Sequence, residues 1–360
     1  MDSRDDRQDH GSQDDDAFES SSGLDAPEGP SAGANDEGDG PSLSAGGAHA
    51  SVEGPVGHAS GFEFPRSGIS PIVIDRATGL VSMPYPTLWV FAGLLALAVV
   101  VQILFALFVA GLGWSKDALG LSIMALLSSA AWPAVAALAI RFKKRDMRRS
   151  FAVGWLRADN PWLVVVLGVL AGFLMVLPAA WLEQTIRPHV PHASNTLLDI
   201  LERGHPSWFA VSIMALAVSA GAPLSEELFF RGFAFSGMKR LYGSGIAAFS
   251  VSFLFAVVHL SWSAMAPIFL LSLVLCYLVG RADSIWPSVA AHMTYNGVQM
   301  AAWIGVWLKG TKPPSQDEPM PIEAVVLSIL LLGVVLFAYR WATKPSRSTT
   351  APGTIGSSIS

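Results

Sequence analysis

The stretch 221–232 reads GAPLSEELFFRG and places two adjacent carboxylates and an arginine inside a long apolar run. Each charge near the centre of a bilayer costs about 2.5–3.5 kcal/mol on insertion scales, so such residues are rare and mark functional sites by default. Glu226, Glu227 and Arg231 therefore need partners inside the protein or a water-filled cavity. These three charges decide how the rest of the chain is interpreted.

The composition of the chain is that of a membrane protein. Its 360 residues are 52% hydrophobic and 14% charged, whereas an ordinary soluble domain is about 25% charged. The net charge of −5 is unevenly distributed, because residues 1–40 hold thirteen acidic and two basic side chains. An acidic head on an apolar, mildly basic body indicates membrane association, and nothing in it suggests nucleic acid.

Eight apolar runs are long enough to be considered as membrane-spanning helices, which need about 20 residues each. We therefore predict an all-α integral membrane protein, a bundle of about eight transmembrane helices. The runs lie at 88–113, 118–140, 161–182, 208–237, 244–261, 264–280, 285–308 and 322–340.

The segments at the two ends are polar and are predicted to be tails. Residues 1–86 are rich in Asp, Gly, Ser and Pro and lack the apolar surface that offsets the entropy of ordering, so we expect a disordered acidic cytoplasmic tail. Residues 342–360 are expected to form a flexible C-terminal tail. The loop RFKKRDMRR at 141–149 holds six of the basic residues. Because Lys and Arg collect in cytoplasmic loops, both termini are predicted to be cytoplasmic in a multi-pass protein of the cell membrane.

Helix geometry separates the charges of the opening stretch. Glu227 and Arg231 are four residues apart and face each other on one side of a helix, so they can form an ion pair. Glu226 points about 100° away and is left without that partner. Gly221 and Pro223 should loosen the helix, and a restart at Ser225 would place Glu226 in a first turn, where the dipole favours an anion.

Two later spans carry further polar groups. Glu226 and His259 are 33 residues apart, with their midpoint at Tyr242–Gly243, so a helical hairpin that turns there brings them to the same depth. His292 and Asn296 are again four residues apart and share one helix face. We expect these four side chains to line one intramembrane polar cavity.

Each of these groups alone has a plain structural interpretation. A single intramembrane histidine or asparagine often makes a hydrogen bond between helices, and Glu227 with Arg231 fits a folding pair. Together they indicate a site that activates water, with Glu as general base, His as ligand or acid, and Asn as oxyanion donor.

Three motifs in this order resemble a known family. GAPLSEELFFRG carries E-E-x-x-x-R, FAVVH carries F-x-x-x-H with Phe255 and His259, and HMTYN carries H-x-x-x-N with His292 and Asn296. The set resembles the CAAX-protease and bacteriocin-processing (CPBP) family of intramembrane proteases, which includes CAAX prenyl endopeptidases and lysostaphin-resistance-like proteins. The resemblance covers 208–306, the predicted catalytic core. Residues 87–207 and 307–341 supply the N-terminal helices and the last helix.

The resemblance implies an intramembrane endopeptidase of the metalloprotease type. Glu226 and His259 would activate the attacking water, His292 and Asn296 would stabilise the oxyanion, and Glu227 and Arg231 would support them. Zinc is possible, because Glu226, His259 and His292 can supply the three protein ligands of a catalytic zinc site, although the H-E-x-x-H signature is absent.

The expected partners are the lipid bilayer and a membrane-bound protein or peptide substrate. Two other functions stay open at this point. One is a non-proteolytic scaffold or immunity protein of the same family. The other is a proton-coupled transporter, because intramembrane carboxylates and histidines also form proton relays.

Overall fold

Helices occupy all eight segments that the apolar runs predicted. The computed structural model describes residues 73–74, 81–82, 85–113, 118–156, 158–190, 206–310 and 319–344. The elements in chain order are strands β1 (Val73–Ile74) and β2 (Val81–Ser82), then helices α1 (Leu88–Gly111), α2 (Ala118–Ser129), α3 (Ala131–Phe142), α4 (Met147–Ser150), α5 (Pro161–Leu174), α6 (Val176–Ile186), a 3₁₀ turn (Arg187–His189), α7 (Trp208–Leu216), π1 (Ala217–Gly221), α8 (Ala222–Glu226), π2 (Glu227–Phe235), α9 (Ser236–Val257), α10 (Met265–Ala282), α11 (Trp286–Lys309) and α12 (Ile322–Ala342).

Within these described ranges, six helical stretches are long and apolar enough to cross a membrane. One of them, Trp208–Val257, has 50 residues and would extend about 75 Å, more than twice the hydrocarbon thickness. It is interrupted at Gly243, whose φ of 77° and ψ of 163° are non-helical. The all-α membrane fold is confirmed. The eight-span count stays a prediction for α11 and for the part of α9 after Gly243.

The predicted hairpin turn is present at Gly243, and the second part of α9 packs back on π2. The contact is aromatic, with the ring centroids of Phe230 and Phe255 4.8 Å apart. On the other side, Trp132 of α3 lies 5.5 Å from Phe230 and 5.4 Å from Phe229. The Phe230–Phe255 pair is edge to face and the two Trp132 pairs are tilted; aromatic pairs stabilise by about 0.5–1.5 kcal/mol beyond area burial. They fix π2 in the centre of the bundle.

Helices α5 and α11 approach each other closely through glycine. The Cα atoms of Gly168 and Gly172 face the backbone of Pro287 and Ala291, and a Cβ at either glycine would overlap a carbonyl oxygen. Small residues four apart allow such backbone contact between membrane helices. Because Ala291 directly precedes His292, this contact also determines where that histidine lies.

The predicted N-terminal tail falls mostly outside the described residues. The two short strands pair antiparallel, with Val73 opposite Ser82 and Ile74 opposite Val81. At its end, Tyr85 and Pro86 lie against Gly237. Of the predicted C-terminal tail, the structure describes residues 342–344.

Candidate active site

The helix that carries Glu226 widens around it instead of restarting. Gly221 and Pro223 both stay helical, and π turns at Ala217–Gly221 and Glu227–Phe235 flank one short α-helical stretch. The expected restart at Ser225 is therefore wrong. Pro223 lacks an N–H and its ring would clash with the carbonyl four residues earlier, and the wider π turn accommodates both defects. Such π turns occur frequently at functional sites.

The predicted ion pair between Glu227 and Arg231 is present and completely buried. Oε1 of Glu227 lies 3.0 Å from Nη1 of Arg231, and both side chains have no exposed surface. Arg231 also donates from Nη2 to Oγ of Ser272 at 2.9 Å, and its guanidinium lies 4.3 Å from the centre of the Phe255 ring. Three different elements thus hold Arg231, and Arg231 holds Glu227.

His292 connects the two carboxylates. Its Nδ1 lies 2.9 Å from Oε1 of Glu227, and its Nε2 lies 3.8 Å from Oε2 of Glu226. Since a carboxylate accepts, Nδ1 carries the proton, and Nε2 faces Glu226. A buried carboxylate that orients an imidazole in this way also fixes its tautomer. Sequence reasoning paired Glu227 with Arg231 alone and missed this second contact.

His259 reaches the site from the turn after α9. The helix ends at Val257, so His259 lies two residues beyond the element in which it was expected. Its Nδ1 donates to the carbonyl of Phe255 at 2.6 Å, which leaves Nε2 available. The ring of His259 also meets that of Phe255 at 4.6 Å.

A cavity of about 220 Å³ lies between these residues and the first helices. Glu226 and His259 line it together, and the side chain of Glu226 is 16% exposed. The expectation of one cavity lined by all four polar groups is met by Glu226 and His259 and not by the other two. His292 is buried behind Glu226. Asn296 donates from Nδ2 to the carbonyl of Val218 in π1 at 3.0 Å.

The first two helices contribute polar groups that sequence reasoning did not select. Gln102, Ser128 and Ser129 line the same cavity, and Gln102 donates from Nε2 to the carbonyl of Ser128 at 3.2 Å. A signal for Gln102 was available, because it is the only amide or charged side chain in the 24 residues of α1.

The three expected zinc ligands come from three separate segments of the chain. In the part of the chain that the structure describes, no group of three or more His, Cys, Asp or Glu side chains can hold a metal ion. Nδ1 of His292 is engaged by Glu227, and Nδ1 of His259 by the carbonyl of Phe255, so Nε2 is the nitrogen that each imidazole could offer to a ligand. The predicted zinc set of Glu226, His259 and His292 stays a prediction.

Glu226 and His292 are the two groups of the cluster that suit acid–base chemistry. Oε2 of Glu226 and Nε2 of His292 face each other at 3.8 Å, and Glu226 lines the cavity. A carboxylate beside an imidazole can transfer protons to and from a molecule in the cavity.

The fold and the site thus define a multi-pass membrane protein with a buried acid–base cluster beside a polar cavity. Residues 207–298 match the family model described as type II CAAX prenyl endopeptidase Rce1-like. This stretch is thus similar to an Rce1-like domain, consistent with the CPBP family that the motifs indicated, and all seven motif residues lie within the match. The match supports a CAAX-type intramembrane protease as the kind of function. No curated protein and no solved structure matches the chain significantly.

Proposed function

We propose that this protein is an intramembrane endopeptidase that hydrolyses a peptide bond of a membrane-bound protein or peptide, with Glu226 as the general base. One observation carries the proposal. Glu226 faces both a cavity that can hold water, which it shares with His259, and the Nε2 atom of His292, which Glu227 and Arg231 hold in place.

In the proposed reaction Glu226 takes a proton from a water molecule in the cavity while the water oxygen attacks the carbonyl carbon of the substrate. A tetrahedral intermediate forms and its oxygen becomes negatively charged. Nε2 of His259 is placed to bind the water or the intermediate. When the C–N bond breaks, the proton taken by Glu226 moves to the leaving amine, and the carboxylate is regenerated.

Stabilisation of the oxyanion is assigned to His292 and Asn296. Protonated His292 presents an N–H toward Glu226, and its charge would favour an anion beside that carboxylate. The amide of Asn296 has two N–H groups, of which one is used by Val218. Asn296 does not line the cavity, so its proposed role requires the carbonyl oxygen of the substrate to lie on the π1 side, within reach of the second N–H.

The substrate reaches the site from the membrane. We assign both termini to the cytoplasmic side, from the distribution of basic residues. The contacts of the described residues support one basic end, where Lys239 pairs with Asp283 at 2.6 Å and Arg281 donates to the carbonyl of Arg340 at 2.9 Å.

The proposal is tested with the purified full-length protein in nanodiscs and a library of membrane-anchored, fluorescence-quenched peptides. Glu226→Gln keeps the volume and removes the base, so cleavage should fall by a factor of about 10²–10⁴ with unchanged expression and elution profile. Glu323→Gln, which alters an exposed carboxylate at the start of α12, is the matched control and should cleave normally.

The cleavage assay, together with a measurement of proton uptake into liposomes, separates the alternative functions. Equal cleavage by Glu226→Gln and the wild type would remove Glu226 from the reaction. Absence of cleavage by the wild type across the library would favour the scaffold function, and Glu226-dependent proton uptake into liposomes would favour the transporter. A chelator arm, with zinc added back, tests whether a metal is required.

A further inference from the structure

A second polar pocket lies where the loop between α3 and α4 meets the start of α9. It encloses about 250 Å³, and its wall contains three arginines, one aspartate and two serines. These are Arg145, Arg149, Arg240, Asp146, Ser150 and Ser236. The motif residues described above do not line this pocket, and two of its three contributing segments lie outside the 207–298 match.

The pocket is positively charged. Arg145 set aside, the guanidinium groups of Arg149 and Arg240 still outnumber the one carboxylate, and Oδ1 of Asp146 already accepts the backbone N–H of Arg149 at 2.7 Å. Among the residues that the structure describes, neither Arg149 nor Arg240 forms a side-chain ion pair, in contrast to the buried Arg231. Their charges are thus available to an anion that enters from outside.

Separate parts of the chain hold the pocket in shape. Tyr85 lines it from the N-terminal side, with its ring 5.7 Å from that of Phe233 and 5.5 Å from the guanidinium carbon of Arg145. Because Gly237 has no Cβ, Tyr85 and Pro86 can pack directly against the start of α9. Burial raises the pKa of Tyr85 above its usual value although Arg145 opposes the shift, so its hydroxyl stays protonated at neutral pH.

We propose that this pocket binds a phosphate group, supplied by the headgroup of an anionic phospholipid or by free phosphate. Guanidinium groups bind phosphate oxygens through pairs of parallel hydrogen bonds, and the serines and Tyr85 add neutral donors. Basic pockets at the cytoplasmic ends of transmembrane helices are suited to anionic headgroups, and this pocket includes the loop that carries the predicted cytoplasmic charge.

Orientation of the protein in the membrane accounts for the number of basic residues in this loop but not for their arrangement. The positive-inside bias depends on the count of Lys and Arg, whereas a phosphate site depends on which of them converge. Arg148 and Arg149 are neighbours in α4, both are exposed, and Arg149 alone of the two lines the pocket. A comparison of variants at Arg148 and Arg149 therefore distinguishes a defined binding site from diffuse electrostatic attraction of anions to the loop.

The test titrates the full-length protein in dodecyl maltoside with three probes and measures binding by isothermal titration calorimetry. The probes are dihexanoyl-phosphatidylglycerol, dihexanoyl-phosphatidylcholine and inorganic phosphate. We expect saturable binding of phosphatidylglycerol or of inorganic phosphate, and the stronger of the two identifies the source. Phosphatidylcholine, whose choline cancels the charge, should bind more weakly than phosphatidylglycerol.

The variants then locate the site. Arg149→Gln and Arg240→Gln should each weaken binding about tenfold, as expected for one charge-assisted hydrogen bond, while Arg148→Gln should bind as the wild type does. Arg149→Lys keeps the charge and loses the planar guanidinium, so its affinity should lie between those of Arg149→Gln and Arg148→Gln. The proposal is overturned by a lack of saturable binding to either anion, or by an equal loss in Arg148→Gln. A retained elution profile and melting temperature show that each variant is folded.

Discussion

Arg231 is the residue on which the site depends most. It is fully buried, and it contacts Glu227, Ser272 and Phe255 on three elements. Glu227 in turn accepts from His292, so the arginine reaches the reacting groups through one carboxylate. Arg231 is therefore a positioning residue, and its replacement should first reduce the amount of folded protein.

Arg231→Met should sharply reduce folded protein, because it leaves Glu227 buried without its cation at a cost of about 3–5 kcal/mol. The double variant with Glu227→Gln removes both charges and should recover folded protein while staying inactive, since His292 loses its orienting carboxylate. Fluorescence-detected size-exclusion chromatography and melting temperature measure folding, and peptide cleavage measures activity.

The matched control is the partly exposed pair of Glu183 and Arg187, which has the same four-residue spacing and a distance of 2.7 Å. Exposed pairs contribute about 0–1 kcal/mol, so Arg187→Met should fold nearly as the wild type. A well-folded but inactive Arg231→Met would instead place Arg231 in the chemistry.

Residue spacing predicted some of these contacts and could not predict others. The pair of Glu227 and Arg231 follows from the helical repeat. The contact of Glu227 with His292 joins residues 65 positions apart and depends on how α11 packs on α5, which no local pattern encodes. The position of Phe255 beneath Arg231 and beside His292 was hidden for the same reason, whereas its contact with His259 follows from their four-residue spacing.

At the scale of elements, the site is formed by a widened helix and by one close helix contact. The π turns on both sides of Glu226 change which side chains share a face, and α5 sets the depth of His292 through Gly172. The apolar runs predicted where the helices lie, because their lengths match a bilayer. They did not predict which helices become neighbours.

Gly172→Ala should weaken both stability and cleavage. The added Cβ overlaps the backbone of Ala291, and α11 must move away from α5 together with His292. Overpacking of this kind costs about 1–3 kcal/mol, which a melting curve detects.

Gly333→Ala serves as the control, because Gly333 lies inside α12 and a Cβ there meets no atom within 4 Å. It should be neutral or slightly stabilising, since alanine is the better helix former. Equal losses in both variants would show that the effect comes from the glycines and not from the α5–α11 contact.

Helices outside the family match supply the far wall of the cavity, and Gln102 is its most polar contribution from α1. Gln102→Leu should lower kcat/KM about tenfold, the effect of one lost hydrogen bond to a polar substrate or water. Ile103→Leu, at the neighbouring and 53% exposed position, should leave cleavage unchanged. Full activity of Gln102→Leu would show that α1 only closes the cavity.

For the whole molecule, the described residues form one bundle whose N-terminal end is fastened near the basic pocket. Tyr85 and Pro86 lie within the segment predicted as a tail, yet they pack on Gly237 and Phe233. Composition could not indicate this attachment, because a single aromatic residue in a polar segment carries no periodic signal. The boundary between the predicted tail and the bundle therefore lies before Tyr85.

Two deletions test this boundary. Residues 2–59 are rich in Asp, Gly and Ser and lie outside the described residues, so deletion of 2–59 should leave cleavage of a short synthetic peptide and the melting temperature unchanged. Deletion of 2–87 also removes Tyr85 and Pro86. It should lower stability, because the edge contact of Tyr85 with Phe233 alone is worth about 0.5–1.5 kcal/mol beyond its buried area. It should also weaken phosphate binding, because Tyr85 lines that pocket.

A large loss of turnover on deletion of 2–59 would instead show that the acidic segment takes part in the reaction. Equal stability of the two deletions would show that the contacts of Tyr85 do not hold the bundle.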